Sequence, residues 1–202
     1  MSHRGQAQLA IWSDIHPDQE TDYLHWLTRE HVLERVGVDG FLSGRVFRSE
    51  VAGKRRFFIT YELQEAAALA GPSYLARLNA PTPWSQRVMP ILQNFARGGG
   101  PVVARAGLGC GAVAVPLRLD LETAGLLDEG AQRTLVERIV KLDAVAQVWL
   151  SGAWHFVDAT GMCRANSLAL IAVGRDACEV AFMETASEAR MLRQVVQVTQ
   201  AA

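Results

Sequence analysis

Residues 33–41 read LERVGVDGF, and residues 136–145 read VERIVKLDAV, about 103 positions further along the chain. Each segment stands where the end of a helical pattern gives way to an apolar, strand-like stretch. Because the two related segments occupy the same helix-to-strand junction, they indicate a structural unit that occurs twice in the 202 residues.

The first unit alternates strands and helices in the order β-α-β-β-α-β. Its strand segments are rich in β-branched and aromatic residues, and they read AQLAIWSDI, FLSGRVFRSE and RRFFITYEL. A helical pattern runs from Pro17 to about Val36 and stops at a glycine-rich segment. Later segments predict a helix in QEAAALAGPSYLARL, a short helix in SQRVMPILQNFA, and a flexible break before a strand in RGGGPVVARAG.

The second unit repeats this order, with a strand at 111–120, a helix over 126–143, a strand pair within 144–174 and a last helix over 187–198. Two split βαβ units predict an α+β fold of tandem ferredoxin-like βαββαβ halves, residues 1–105 and 106–202. Their antiparallel sheets are expected to pack face to face, since each sheet has one face to cover. The cover comes either from the other half or from a second chain, and we expect a homodimer.

Composition excludes several classes of partner. Half of the residues are hydrophobic, 20% are charged and the formal net charge is −1, which gives no attraction for a nucleic-acid backbone. The sequence has neither the apolar core of a secretion signal nor a run of the ~20 apolar residues that span a membrane. We therefore expect a cytoplasmic protein with no membrane partner, and reduced thiols at its three widely spaced cysteines.

The first helix carries two polar residues within its apolar stripe. On a wheel drawn at about 100° per residue, Glu30 lies near the middle of the apolar arc, His31 lies at its edge, and Arg35 lies on the opposite, polar side. Buried polar groups are costly unless they are paired. We expect His31 to be a general base or acid and Glu30 to orient it or share its proton. The alternative is that Glu30 pairs with an arginine across the interface and His31 hydrogen-bonds a backbone carbonyl, so that both make structural polar contacts.

Two strands contribute further candidates. The period-two rule places Arg45 on one face with Phe41, Ser43 and Phe47, and it places Tyr61 on one face of the next strand with Phe57, Ile59 and Leu63. If these faces line a pocket, a guanidinium and a phenol would stabilise an enolate, phenolate or carboxylate. Otherwise they are a salt-bridged arginine and a core tyrosine. Residues expected to contact a substrate are Trp12, Asp14, Trp26, Leu27, Phe41, Tyr74 and Trp84.

Motifs for metals and nucleotides are weak. GLGCGA at 107–112 resembles half of a dinucleotide fingerprint, but a strand-like segment follows it where pyrophosphate needs a helix N-terminus. His25 and His31 are six residues apart and point to different sides of the helix, which disfavours zinc. We expect no metal and no organic cofactor.

The sequence resembles the dimeric α/β-barrel superfamily and, within it, EthD-like proteins. The matching features span roughly residues 8–105, and they are Trp26 with Glu30-His31, Gly40-Phe41, Tyr61-Glu62-Leu63, Pro72-x-Tyr74-Leu75 and Thr82-Pro83-Trp84-Ser85. The resemblance implies a pocket between the first helix and the concave face of the sheet. The second half has Thr134 or Leu135 where His31 would fall, so such a pocket belongs to the first half.

Members of that superfamily include cofactor-free oxygenases, polyketide cyclases, lactone isomerases and haem-handling enzymes, so the fold alone does not fix the chemistry. We expect a cofactor-independent acid–base enzyme that performs proton abstraction, elimination, cyclisation or isomerisation on a small apolar or aromatic metabolite. Its catalytic residues would be His31, Glu30, Arg45 and Tyr61. The alternatives are a non-catalytic protein that binds a hydrophobic ligand or haem, and a purely structural role.

Overall fold

The computed structural model describes residues 5–109, 111–119, 128–141, 145–151, 155–158, 163–165, 168–174 and 192–199. The first half consists of β1 (Ala7–Ile15), a 3-10 turn (Pro17–Gln19), α1 (Glu20–Trp26), a π-helical turn (Leu27–His31), α2 (Val32–Val36), β2 (Phe41–Val51), β3 (Lys54–Leu63), a 3-10 turn (Ala66–Ala70), α3 (Pro72–Asn79), α4 (Pro83–Val88), a 3-10 turn (Met89–Ile91) and β4 (Gln93–Gly107). The second half consists of β5 (Val113–Leu119), α5 (Glu129–Ile139), β6 (Val145–Ser151), β7 (His155–Asp158), β8 (Cys163–Ala165), β9 (Leu168–Gly174) and β10 (Leu192–Thr199).

The two halves have the same strand order. In the first half the strands run β4-β1-β3-β2, and in the second they run β10-β5-β9-β6, with all pairings antiparallel. β2 pairs with β10, and β6 pairs with the far end of β4. These eight strands therefore form a hydrogen-bonded ring in which every strand has two neighbours, while β7 and β8 extend the edge beside β4.

The ring confirms the α+β, barrel-type fold class, and it adds that the two sheets join along their edges within one chain. Closing the barrel thus needs no second chain, although the expected homodimer and the division at residue 105 stay predictions. Within the described ranges, no helix is long and apolar enough to cross a membrane.

A glycine-rich part of β4 was wrongly expected to be a flexible break. Strand β4 begins at Gln93, so the predicted short helix also ends earlier, at Val88, with a 3-10 turn after it. Gly98, Gly99 and Gly100 pair with β1. A Cβ on Gly99 would collide with Leu69 Cδ1 and lie 3.0 Å from the carbonyl oxygen of Gln8. These glycines permit close packing rather than flexibility.

The last predicted helix, over 187–198, is wrong in its described part. Residues 187–191 lie outside the described residues, and Leu192–Thr199 form the strand β10. Val195, Val196 and Val198 favour a strand because their β-branched side chains restrict χ1. Pairing with β2 from Ser43 to Arg48 supplies the backbone partners of β10.

A register shift in β2 corrects the predicted strand faces. Phe41 pairs with Leu63, but the register shifts before Ser43, so that Gly44 faces Tyr61 and Arg45 faces Thr60. Cross-strand partners share a face. Arg45 therefore lies on the face opposite to Tyr61, and the β-bulge is the physical reason that the simple alternation failed.

The helices cover the Tyr61 face of the sheet. A Cβ on Gly44 would lie 2.9 Å from Tyr61 Cε1 and 2.9 Å from Val32 Cγ1 of α2. The main hydrophobic core forms between this face and the helices, and its largest fully buried members are Ile15, Tyr23, Trp26, Leu27, Phe41, Phe57, Ile59, Tyr61 and Leu63.

We predict that Gly44→Ala lowers the free energy of unfolding by about 1–3 kcal/mol, because the added methyl group overpacks the contact between Tyr61 and Val32. Gly37→Ala is the matched control, since the nearest atom to its Cβ would be the Leu33 carbonyl oxygen at 3.4 Å. Urea denaturation measures both variants. Equal stability of the two would contradict the packing described for α2.

Candidate functional site

A cavity of about 180 Å³ lies between the helices and the inner face of the sheet. Its wall is mostly apolar and aromatic. The lining residues are Leu9, Ile11, Tyr23, Trp26, His31, Arg35, Ile59, Tyr61, Tyr74, Leu78, Pro81, Ser85, Met89, Leu92, Phe95 and Arg97. An apolar cavity of roughly 150 Å³ is enough to hold benzene, so this volume suits one substituted aromatic ring.

The π-helical turn at Leu27–His31 determines which helical side chains reach this cavity. A π turn inserts one residue into the α-helical pattern, so every later residue is rotated by about 100°. Arg35 thereby moves into the buried arc beside His31, the last residue of the π turn, and both are 8% exposed. Leu33, which the regular wheel put in the apolar arc, is 49% exposed. The wheel was therefore wrong about Arg35, because it assumed an uninterrupted α-helix.

His31 is held as a neutral imidazole. Its ring stacks on Trp26, with centroids 4.2 Å apart and planes 26° apart. Its Nδ1 is buried and has no hydrogen-bond partner among the described residues. Burial, and secondly the charge of Arg35, lower the pKa of His31 to about 3. Its uncharged nitrogen is therefore available to a ligand throughout the physiological pH range.

Tyr61 contributes a second unpartnered polar atom. Its side chain is fully buried, and its Oη has no hydrogen-bond partner among the described residues. Burial raises the pKa of Tyr61 well above the ordinary value, although the charge of Arg35 opposes this. Tyr61 thus keeps its proton and can donate it in a hydrogen bond. Tyr23 differs, because its Oη lies 3.0 Å from Ser13 Oγ in a hydrogen bond.

Arg35 brings a buried positive charge to the cavity. Its Cζ lies 5.7 Å from the centroid of the Tyr74 ring, and its Nη1 has no hydrogen-bond partner among the described residues. Arg97, from β4, also lines the cavity, and its Cζ lies 6.0 Å from the same centroid.

Glu30 lies outside the cavity lining and connects α4 to the π turn. Thr82 Oγ1 and Ser85 Oγ donate hydrogen bonds of 2.5 and 3.4 Å to Glu30 Oε1. Ser85 Oγ also accepts a hydrogen bond of 3.1 Å from Trp26 Nε1. Thr82 caps α4 by accepting a 3.0 Å hydrogen bond from the Ser85 N–H. Glu30 therefore makes polar contacts with two hydroxyl groups of α4, not with the arginine that the alternative expectation named.

Asp14 also lies outside the cavity lining, where it forms a buried ion pair. Arg56 donates two hydrogen bonds of 2.8 and 2.9 Å to its carboxylate, and Asn94 donates a third of 2.8 Å. Burial by itself would raise the pKa of Asp14, but the hydrogen bonds from Arg56 and Asn94 and the charge of Arg56 lower it below the ordinary value. The group is thus a fixed anion.

The eleven site residues predicted from the sequence divide between the cavity and its surroundings. Of the eleven, His31, Tyr61, Trp26 and Tyr74 line the cavity, and Glu30, Arg45, Trp12, Asp14, Leu27, Phe41 and Trp84 do not. Phe41 supports it from behind, since its ring stacks on Tyr74 at 5.4 Å. Trp12 instead packs on Phe58, whose ring centroid is 5.1 Å away.

Sequence reasoning missed Arg35, Arg97, Tyr23 and Ser85 as lining residues. Ser85 and Tyr23 had usable signals, because one lies in the Thr82-Pro83-Trp84-Ser85 segment and the other in the apolar arc. Arg97 was assigned to a break. In the described part of the chain, no cluster of three or more His, Cys, Asp or Glu side chains is placed to hold a metal ion.

No protein-family profile matches the sequence, and no curated protein matches it. An anthrone oxidase-like protein has a similar structure, with a TM-score of 0.63 and 9% identity over 100% of this chain and 97% of that one. Proposed monooxygenases from Fusobacterium nucleatum and Lactobacillus acidophilus have TM-scores of 0.54 and 0.53 and identities of 15% and 10%. These matches cover 98% of this chain and 96% and 98% of the other two.

At such identities the likeness shows a shared fold. The chain has the architecture of the dimeric α/β-barrel proteins, with a cavity between its helices and sheet. The narrower EthD-like resemblance stays a prediction.

We predict that Asp14→Ala lowers the free energy of unfolding by about 1–3 kcal/mol, because three hydrogen bonds to a buried carboxylate are lost. Asp18→Ala is the control, since Asp18 is exposed and its loss should cost less than about 0.5 kcal/mol. Chemical denaturation measures both. A D14A protein of normal stability with weakened ligand binding would restore Asp14 as a substrate contact.

We predict that His31 makes stability depend on pH. Its folded pKa of about 3 lies below the unfolded value of about 6.5, so the unfolded chain binds the proton more readily. The contribution is complete above about pH 6.5 and declines as the pH falls, by about 2 kcal/mol at pH 5. His31→Phe should lose less stability than wild type between pH 7.5 and 5. The exposed control His25→Asn should follow wild type, and parallel losses in all three would contradict the buried neutral imidazole.

Proposed function

We propose that the protein is an enzyme that moves a proton on a small aromatic or largely apolar molecule held in the cavity. One observation carries this proposal. The His31 Nδ1 and the Tyr61 Oη are buried polar atoms without hydrogen-bond partners among the described residues, and both residues line the same apolar cavity. Unpaired buried polar groups cost free energy, so a function is the expected reason for retaining them.

The chemistry follows from the two protonation states. Neutral His31 accepts a proton from a C–H or O–H group of the substrate. Tyr61 stays protonated and donates a hydrogen bond to the oxygen on which negative charge develops. Arg35 supplies the positive charge that the sequence assigned to Arg45, since Arg45 is on the other face of the sheet. The proposed step requires no metal or organic cofactor.

The structural neighbours suggest which substrates to test. One of them is anthrone oxidase-like, and two are proposed monooxygenases. Anthrone is a carbon acid, and removing its proton gives an electron-rich carbanion that molecular oxygen can oxidise. Anthrone and one O₂ then yield anthraquinone and one water. We propose aromatic carbon acids as the substrate class, with oxygen as the co-reactant in the oxidative case.

Haem is a poorer candidate for this site. The cavity of about 180 Å³ is smaller than the roughly 300–1,000 Å³ of sites for drug-sized ligands. A carrier of a small hydrophobic ligand remains the alternative, and it differs from the enzyme in showing binding without proton transfer.

We predict that His31→Asn lowers turnover by about 10²–10⁴-fold, the usual contribution of a positioned acid–base group. Deuterium exchange into the benzylic position of phenylacetone, a carbon acid with the single aromatic ring that the cavity volume suits, measures it. Tyr61→Phe should also reduce the rate, while the exposed control His25→Asn should not. Circular dichroism verifies that each variant is folded.

Full activity of a folded His31→Asn variant would refute the proposal. Binding of phenylacetone without any exchange in the wild type would favour the carrier instead.

A further inference from the structure

Arg35 is a buried cation for which the described residues provide no counter-ion. Its side chain belongs to a residue that is 8% exposed, and no carboxylate lies within 4.0 Å of it among the ion pairs of the described residues. Its Nη1 also lacks a hydrogen-bond partner there. An arginine remains protonated under all physiological conditions. A buried charge of this kind is normally paired.

The carboxylates nearest in sequence have other partners. Glu34 lies 3.7 Å from Arg77 Nη1, and Asp39 accepts a hydrogen bond of 3.4 Å from Ser73. Glu30 accepts hydrogen bonds from Thr82 and Ser85. The cavity lining contains two arginines and no Asp or Glu. With His31 neutral, the wall has a net positive charge, which attracts an anion into an otherwise apolar space.

Arg35 and Arg97 lie around one aromatic ring, and their positions show on which side of the cavity an anionic group of the ligand would bind. Their guanidinium carbons lie 5.7 and 6.0 Å from the centroid of the Tyr74 ring. Arg97 and Tyr74 also line a neighbouring cleft of about 430 Å³, together with Gly98, Gly99 and Gly100. Because these residues belong to both spaces, Arg97 stands where the cleft adjoins the cavity.

We propose that the substrate is an aromatic carboxylate, whose carboxylate group pairs with Arg35 while its ring occupies the apolar part of the cavity. Arg97 adds positive charge on the side of the cleft. This assignment rests on the proposed function, since it names the substrate class of the same site. A guanidinium suits the group because its parallel N–H bonds match the two oxygens of a carboxylate.

Pairing of Arg35 would also favour the proposed chemistry. The charge of Arg35 is one of the two causes that hold the pKa of His31 low. A bound carboxylate offsets the charge of Arg35, the smaller of the two causes, so it raises the pKa of His31 while burial continues to hold that pKa below its ordinary value. The anionic substrate thereby strengthens the base that acts on it.

A pair of unreactive probes tests the proposal by calorimetry. Phenylacetate and phenylacetamide have the same ring and nearly the same shape, but only phenylacetate is an anion. The wild type should bind phenylacetate at least tenfold more tightly than phenylacetamide. Arg35→Gln should remove this preference and leave the affinity for phenylacetamide within about threefold, since a neutral ligand gains little from the guanidinium. The control Arg87→Gln, exposed on α4, should keep the full preference.

The melting temperature of the ligand-free variants separates binding from a structural role. Arg35→Gln removes an unpaired buried charge, so its melting temperature should equal or exceed that of the wild type. If Arg35→Gln does not fold, Arg35→Lys provides the comparison, and it should retain part of the preference because it keeps the charge but not the bidentate geometry. A wild type with no preference for phenylacetate overturns the proposal, as does an Arg35→Gln or Arg35→Lys variant with an unreduced preference.

Failure of the proposed function would be recognisable separately. Binding of phenylacetate requires no proton transfer, so it reports on Arg35 alone. Deuterium exchange into phenylacetone requires His31 but no carboxylate. Exchange that is lost in His31→Asn, together with equal binding of the two probes, would uphold the enzyme and overturn the carboxylate site. Tighter binding of phenylacetate that depends on Arg35, together with exchange that His31→Asn leaves unchanged, would uphold the carboxylate site and overturn the acid–base chemistry.

Discussion

The Val32 amide donates to the Leu27 carbonyl oxygen, five residues earlier, where an α-helix would use Thr28. This one additional residue determines the contents of the cavity. It rotates the following turn by about 100°, which buries the guanidinium of Arg35 and exposes Leu33, while the imidazole of His31 belongs to the π turn itself. Such π turns are rare and occur frequently at functional sites. The conformation is unfavourable for folding alone, since it exchanges an apolar side chain, Leu33, for a charged one, Arg35, at the core.

The rest of the fold holds this turn in place. Trp26 stacks on His31 from the preceding helical segment, and its indole N–H reaches Ser85 on α4. Glu30 receives hydrogen bonds from Thr82 and Ser85, so that α4 is fixed against the turn at several points. Behind the cavity, each of the eight strands in the ring is hydrogen-bonded to a neighbour on both sides, although β5 and β10 pair at only two positions. The closed sheet provides the rigidity with which unpaired polar atoms can be kept in place.

The sequence predicted the elements whose signal is local. Strand β1 has the predicted bounds, and the helical pattern ends at Val36 as expected, because alternation and helical periodicity are properties of a few neighbouring residues. The sequence-based prediction failed where one inserted residue changes which face of a strand or helix the following side chains occupy. The bulge before Ser43 moved Arg45 to the other face, and the π turn moved Arg35 into the core. Neither insertion has a residue type that marks it, since both depend on tertiary packing.

The second half of the chain provides an internal comparison for the π turn. At the offset of about 103 residues, Leu33 corresponds to Val136 and Arg35 to Arg138. Helix α5 is a regular α-helix in which Val136 is buried and Arg138 is exposed, whereas in the first half the leucine is exposed and the arginine is buried. The two similar segments therefore differ because of the inserted residue in the helix, not because of their local composition. The second half folds with its apolar residue buried and its arginine exposed, so folding does not require the opposite arrangement of Leu33 and Arg35. The cavity is the reason that best accounts for the buried arginine.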